Sequence, residues 1–285
     1  MNNLRYNGVK NVFRIRTHEE VSVMGVYFDN GQDAVLNGTR STAVSADTMR
    51  PLMRMVYMWM TLGLGLTGLI AAFVSSSIYA NIQANGIESM KSVSSLMFPA
   101  IIVQLLVVLA LSWGINRINS SVATGLFFFY AALNGLTIGI IVFAYTVNVS
   151  TRGAISADYL PVAKAFFTTA GLFGTMTVIG YTTKIDLTKY STFFMMALIG
   201  LFIAGMVNIF LRSEAFSWAI SVFGVLLFTA LTAYDTQKIK NMANDPAMQE
   251  NTEDFRKWSI MGALTLYLDF INLFLYLLRL FGSRR

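Results

Sequence analysis

The sequence predicts an all-α membrane protein with seven transmembrane helices. Three observations carry that prediction. The first is composition: of 285 residues, 55% are hydrophobic and only 13% are charged, with a mean hydropathy of +0.58. A soluble domain carries roughly 25% charged residues, so lipid is expected to be the main solvent. The second is segmentation, because seven separate stretches reach the ~20 mostly apolar residues needed to cross a bilayer. The third is the last stretch, GALTLYLDFINLFLYLLRLFG from Gly262 to Gly282, which holds a carboxylate, Asp269, well inside the span. An ionisable residue there is costly and faces a partner or a wet cavity. At helical spacing Gly262, Thr265, Asp269, Asn272 and Tyr276 share one face. Thr265, Asn272 and Tyr276 are thus candidates to line a pathway, and the other segments are expected to surround this helix.

Residues 1–50 read as a polar cytosolic tail, mostly irregular, with a strand-like run at VSVMGVYF and too little apolar content for a core. The seven-helix domain then covers 51–285. Its first span is expected over Arg54 to Ser77, where small residues in MWMTLGLGLTGLIAAF permit close packing. The second covers Leu96 to Ile115, the third Ser121 to Tyr145 and the fourth Leu160 to Tyr181. The fifth covers Ser191 to Leu211, and a tight Arg212-Ser213-Glu214 connection leads to the sixth, Ala215 to Thr236. The longest hydrophilic interhelical loop, Gln237 to Trp258, precedes the seventh, Ser259 to Phe281. Six spans with a re-entrant last segment is the alternative reading.

Several function classes fall away. The chain has no cysteine, so disulfides and thiolate metal sites are excluded, and its one histidine, His18, lies in the tail. No phosphate-binding loop, GxSxG elbow or HExxH occurs, so no enzyme activity and no cofactor are expected. The net charge of +6 comes from tails and short loops and reflects topology rather than nucleic-acid binding. With the N-terminus inside, fourteen Lys and Arg fall on the cytosolic side and six on the other, Lys164 lying within a span. That favours N-inside, C-outside, although Arg279, Arg284 and Arg285 oppose it mildly. Trp59, Trp113, Trp218 and Trp258 lie near helix ends, as interfacial anchors do. No removable signal peptide is read at the start, and the first span is expected to direct insertion.

Of fifteen acidic residues, all but two lie in the tail, loops or helix ends. The exceptions are Asp235, in LFTALTAYDTQKIK at the end of the sixth span, and Asp269. The intervening loop makes their helices antiparallel neighbours, so the two carboxylates can meet in the cytosolic half. Two carboxylates sharing a poorly solvated site cannot both ionise cheaply, and such a pair titrates as a unit. That is the chemistry of a proton sensor, or of a cation site built from hard oxygen ligands. Arg117, at the cytosolic end of the second span, could hold Asp235 ionised by a bidentate contact and serve as a latch. The plainer readings are a solvated helix-end carboxylate beside Lys238 for Asp235, an inter-helix hydrogen bond for Asp269 and a positive-inside flank for Arg117. Depth also separates the acids: Asp235 is three residues from Lys238, whereas Asp269 is eleven beyond Trp258. Gln104, Asn134 and Asn208 are expected to bond between helices, and Lys164 to snorkel outward.

The pairing of AYDTQKIK (Ala233 to Lys240) with GALTLYLDFINLFLYLLRLFG resembles the Bax-inhibitor family, also called transmembrane Bax-inhibitor-motif proteins. The resemblance covers residues from about 50 to 285 and leaves out the leader. It implies six helices around a central seventh and a pH-sensitive calcium leak. The family's two sensor aspartates match Asp235 and Asp269, and its latching arginine is best matched by Arg117 in WGINRIN. Bacterial relatives include proteins that associate with a membrane protease, and eukaryotic ones suppress cell death. The expectation is a leak channel for calcium in a bacterial plasma membrane, gated by the aspartate pair, with the bilayer, calcium ions and protons as partners. A regulatory protein that binds other membrane proteins without ion flux is the competing class, and a proton-coupled transporter comes third.

Overall fold

The computed structural model describes residues 51–86, 90–115, 117–149, 155–243 and 252–282. The polar leader, with its strand-like run, lies outside the described residues, as do Arg152, Arg284 and Arg285. Those described belong to one compact unit, 51–285.

Among the described residues of that unit are seven helices: α1 Pro51–Asn85, α2 Met90–Gly114, α3 Ser120–Thr146, α4 Leu160–Thr182, α5 Ser191–Leu211, α6 Glu214–Met242 and α7 Thr252–Gly282. All seven are long and apolar enough to cross a membrane. A short antiparallel hairpin, β1 Val147–Val149 with β2 Ile155–Ala157, lies between α3 and α4. A 3-10 turn, Leu187–Tyr190, leads into α5.

Local chemistry explains most of the boundaries. Asn119 caps α3 by accepting from the Val122 N–H at 2.9 Å, and Ser213 caps α6 by accepting from Phe216 at 3.3 Å. Arg212 closes α5 in the left-handed region, φ 50°, so the turn into α6 takes only two residues. The α5 boundaries match the expectation, and those of α3 and α4 differ by one residue.

Four spans depart from it, α2 by beginning at Met90, six residues before the expected Leu96. α1 is longer at both ends than Arg54 to Ser77. α6 runs on to Met242, and α7 begins at Thr252 and continues unbroken for 31 residues, so it is not re-entrant. The hydrophilic loop expected over Gln237 to Trp258 is therefore mostly helix. Polar composition was read there as loop, but a helix can continue beyond the bilayer with charged residues facing water. Glu253 and Asp254 also favour a helix N-terminus at 252, where carboxylates complement the helix dipole.

Of the seven spans, α7 is the most enclosed by its neighbours and α5 the least. It packs on α3, α4 and α6 and bonds to α1 through Tyr267 and Thr67. α2 packs on α3 and α5 on α6, and their outer faces leave Phe98, Leu105, Phe202 and Phe210 exposed, as lipid-facing residues are. Lipid tails are as apolar as leucine, so helices associate through close packing of small residues rather than by escaping solvent. Gly135 and Gly139, one turn apart on α3, lie against α1; a Cβ on either would fall 2.9 Å from the Thr67 or Ala71 carbonyl oxygen. Gly180 of α4 presses on the Ala233 backbone of α6 in the same way.

Candidate functional site

The antiparallel register of α6 and α7 brings the two buried acids together. Near the cytosolic-side end proposed from the charge pattern, Gly262 lies against Ile239, where a Cβ would meet the Ile239 side chain at 3.3 Å. Further along, Tyr276 lies on Gly224 and stacks on Phe228, ring centroids 5.8 Å apart. Between these contacts Asp235 and Asp269 face each other within hydrogen-bonding reach, only 8% and 4% exposed. Because α6 extends past Lys240 and α7 starts before the apolar stretch, the apparent difference in depth disappears.

Asp269 Oδ2 has no hydrogen-bond partner among the described residues. Among the described residues, the positive charge that bears on the pair is Lys238, exposed on the next turn of α6. Two buried carboxyls in contact cannot both be charged unless a proton or a cation comes between them. The arrangement can therefore hold either. Among the described residues no group of three or more carboxylates or histidines forms a closed metal cage.

Arg117 lies exposed in the turn after α2, its N–H bonded to the Gly114 carbonyl at 2.8 Å. Among the described residues no hydrogen bond or ion pair joins it to Asp235. Thr265 and Asn272 are half-buried and donate back to their own helix, to the Met261 and Leu268 carbonyls. Tyr276 packs on α6 and also lies 5.9 Å below the Arg279 guanidinium. Gln104 does bond between helices, donating to Thr137 at 2.9 Å. Asn134 is buried beside Tyr130 and Tyr267. Asn208 Oδ1 has no partner among the described residues, and Lys164 is exposed.

Three polar features were not read from the sequence. Tyr267, fully buried, is 2.7 Å from Thr67 Oγ1. The Thr67 hydroxyl donates to the Ala131 carbonyl, so Tyr267 must be the donor to Thr67, and α1, α3 and α7 are tied at one point. Gln237 binds the turn before α5 at both ends: its amide nitrogen donates to the Ile185 carbonyl at 2.8 Å, and its oxygen accepts from the Leu187 N–H at 2.6 Å. Lys240 donates to the Tyr181 carbonyl at the end of α4, 2.7 Å away. In the same turn, hydrogen bonds from Thr188 and the nearby Lys189 hold the exposed Asp186 carboxyl below the usual carboxylate range. The third feature is a set of hydroxyls, Tyr57, Thr177 and Thr236, that converge from α1, α4 and α6. Spacing alone could not find it, because its members come from three distant spans. Separately, an apolar cleft of about 430 Å³ between α1, α3, α4 and α7, lined by Leu64, Phe166 and Phe270 among others, touches neither aspartate.

Residues 49–285 match the family model described as inhibitor of apoptosis-promoting Bax1. The chain is similar to the inner membrane protein YbhL of Escherichia coli K12, 44% identical over 237 residues, which is 83% of this chain and 93% of the relative. An uncharacterized protein of Deinococcus radiodurans is 41% identical over 84% of this chain and 93% of its own length. Another, of Borreliella burgdorferi, is 42% identical over 78% and 90%.

Proposed function

The chain belongs to the family of inhibitors of apoptosis-promoting Bax1, an integral multi-pass membrane protein, and from that premise we propose that it is a pH-controlled cation leak. Calcium passes down its gradient, and protons on the Asp235–Asp269 pair set the flow. The N-terminal side faces the cytosol of a bacterial cell, and no catalysis or resident cofactor is involved. The observation that carries this reading is the contact of two buried carboxyls on adjacent spanning helices, with no buried arginine or lysine among the described residues to neutralise them. A purely structural pair is a poor use of such groups, since apolar residues of similar size pack more stably.

The pair is suited to a hard cation because its ligands are carboxylate oxygens. It is suited to proton control because a shared proton removes the charge that attracts the cation. The membrane potential drives inward movement, adding about 2.3 kcal/mol per elementary charge for each ~100 mV, and twice that for a divalent ion. A latch formed by Arg117 belongs to a conformation other than this one, in which Arg117 is exposed and unpaired with Asp235.

The test is calcium uptake by proteoliposomes of pure lipid, from about pH 5 to about pH 8, with Asp235→Asn and Asp269→Asn beside the unaltered chain. A leak gives uptake above empty liposomes that varies with pH, and either variant loses the variation. No uptake at any pH sinks the reading and leaves the partner-binding class.

A further inference from the structure

The hydroxyls of Thr177 on α4 and Thr236 on α6 both approach the Tyr57 phenol of α1, and among the described residues none of the three has a hydrogen bond of good geometry. Tyr57 Oη, Thr177 Oγ1 and Thr236 Oγ1 are each buried without a hydrogen-bond partner among the described residues. The two threonine hydroxyls both lie close enough to act on the Tyr57 phenol, and Thr236 has no exposed surface at all. Buried polar groups are almost always paired, by protein or by ordered water. A buried water is expected where two to four polar groups converge with room for it. Three hydroxyls, each able to donate and accept, supply the polar partners that such a water needs.

Their position gives the site a role. Thr236 follows Asp235 directly on α6. Tyr57, Thr177 and Thr236 each lie within about two turns of one end of their helix: the start of α1, the end of α4 and the end of α6. These three ends share one face of the bundle, which the Lys and Arg distribution assigns to the cytosol. Side chains of consecutive helix residues point about 100° apart, so the hydroxyls lie against the face of α6 next to the one that carries Asp235, between helix ends that reach cytosolic water.

We propose that Tyr57, Thr177 and Thr236 hold water beside the Asp235–Asp269 pair, and that the pair exchanges protons with the cytosol through this site. The proposal rests on the reading of the pair as a proton-controlled element, and it adds the route by which the proton arrives. Lys238 is the charge that bears on the pair; α1 brings Tyr57, and α4 and α7 add no further charge facing it among the described residues. The step is a proton relay. A hydronium on the cytosolic side gives its proton to the held water, which passes one to a carboxylate oxygen of the pair and is left neutral.

The experiment reads carboxyl protonation itself and not calcium flux, so it stands even if the leak does not. The infrared carboxyl band of the purified protein in liposomes is followed after a rapid fall in external pH, for the unaltered chain, Thr236→Val, Thr177→Val and Tyr57→Phe. Asp269→Asn and Asp235→Asn identify the band. The expected result is protonation about tenfold slower in the hydroxyl-deleted variants, the factor that ~1.4 kcal/mol of added barrier makes, at an unchanged pH midpoint. Thr236→Ser, which keeps the hydroxyl, restores the rate. Thermal unfolding supplies the second readout. If the hydroxyls hold water, deleting one lowers the melting temperature; if they are dry, the apolar replacement raises it. An unchanged protonation rate, or a raised melting temperature, overturns the proposal.

Discussion

At the residue scale, Asp269 has the most demanding environment among the described residues. It is 4% exposed, faces a second carboxyl and has one oxygen with no partner among the described residues. Asn is nearly the same size and cannot carry the charge. Asp269→Asn is therefore expected to raise the melting temperature of the purified protein at a pH where both carboxyls are ionised. Sites shaped for function commonly lie below the stability optimum. A lower melting temperature would mean that the carboxylate has a stabilising counter-charge after all. Asp186 behaves in the opposite way. It is exposed, caps the turn before α5 and is held below the usual carboxylate range by Thr188. A carboxyl depressed in the folded protein stabilises above its unfolded pKa, and that contribution is lost as the pH falls through the folded value. Asp186→Asn should thus alter amide exchange in the α4–α5 turn near neutral pH and have little effect in acid.

At the scale of elements, contact between helices depends on where a Cβ is absent. Gly180→Ala would drive a methyl into the Ala233 backbone and separate α4 from α6, the helix that carries Asp235. Overpacking of this kind costs about 1–3 kcal/mol. Gly200, in α5, has open space where its Cβ would go, so Gly200→Ala should be neutral or stabilising by up to ~1 kcal/mol. Unfolding of the two variants in detergent separates close packing from helix propensity: equal effects would contradict it. The GLTIG run from Gly135 to Gly139 carried this information in the sequence as a small-xxx-small pattern. The Gly180–Ala233 contact carried none, because a lone glycine in an apolar run has the same appearance whether it faces lipid or a neighbouring backbone.

For the whole molecule, seven spans and the antiparallel α6–α7 pair were legible because each apolar run is long and bounded by polar turns. The meeting of Asp235 with Asp269 was legible as chemistry but not as depth. The helix ends were drawn where composition turned polar, and α6 and α7 both continue past that line. Arg117 was matched through its sequence neighbours and lies exposed in a turn; which conformation brings an arginine to a carboxylate is not written in local sequence. The hydroxyl site and the Tyr267–Thr67 bond join residues of opposite ends of the chain, and periodicity within one helix does not report such pairs. Topology has a simple test because the chain contains no cysteine. With the N-terminus inside, a cysteine placed at Ser156, in the β1–β2 hairpin, should react with a membrane-impermeant thiol reagent in intact spheroplasts. One at Lys189 should react only after permeabilisation. The reverse pattern would invert the molecule and move the carboxyl pair to the outer half.

The central claim is that Asp235 and Asp269 act as one titrating unit that controls cation flow. A double-mutant cycle on pH-dependent calcium uptake addresses it most directly, using Asp235→Asn, Asp269→Asn and the two together in the same liposomes. Groups that share a proton lose their function together, so the double variant should be no more impaired than either single one. Independent, additive losses would contradict the account, because they would mean that the two carboxyls touch without working as a pair.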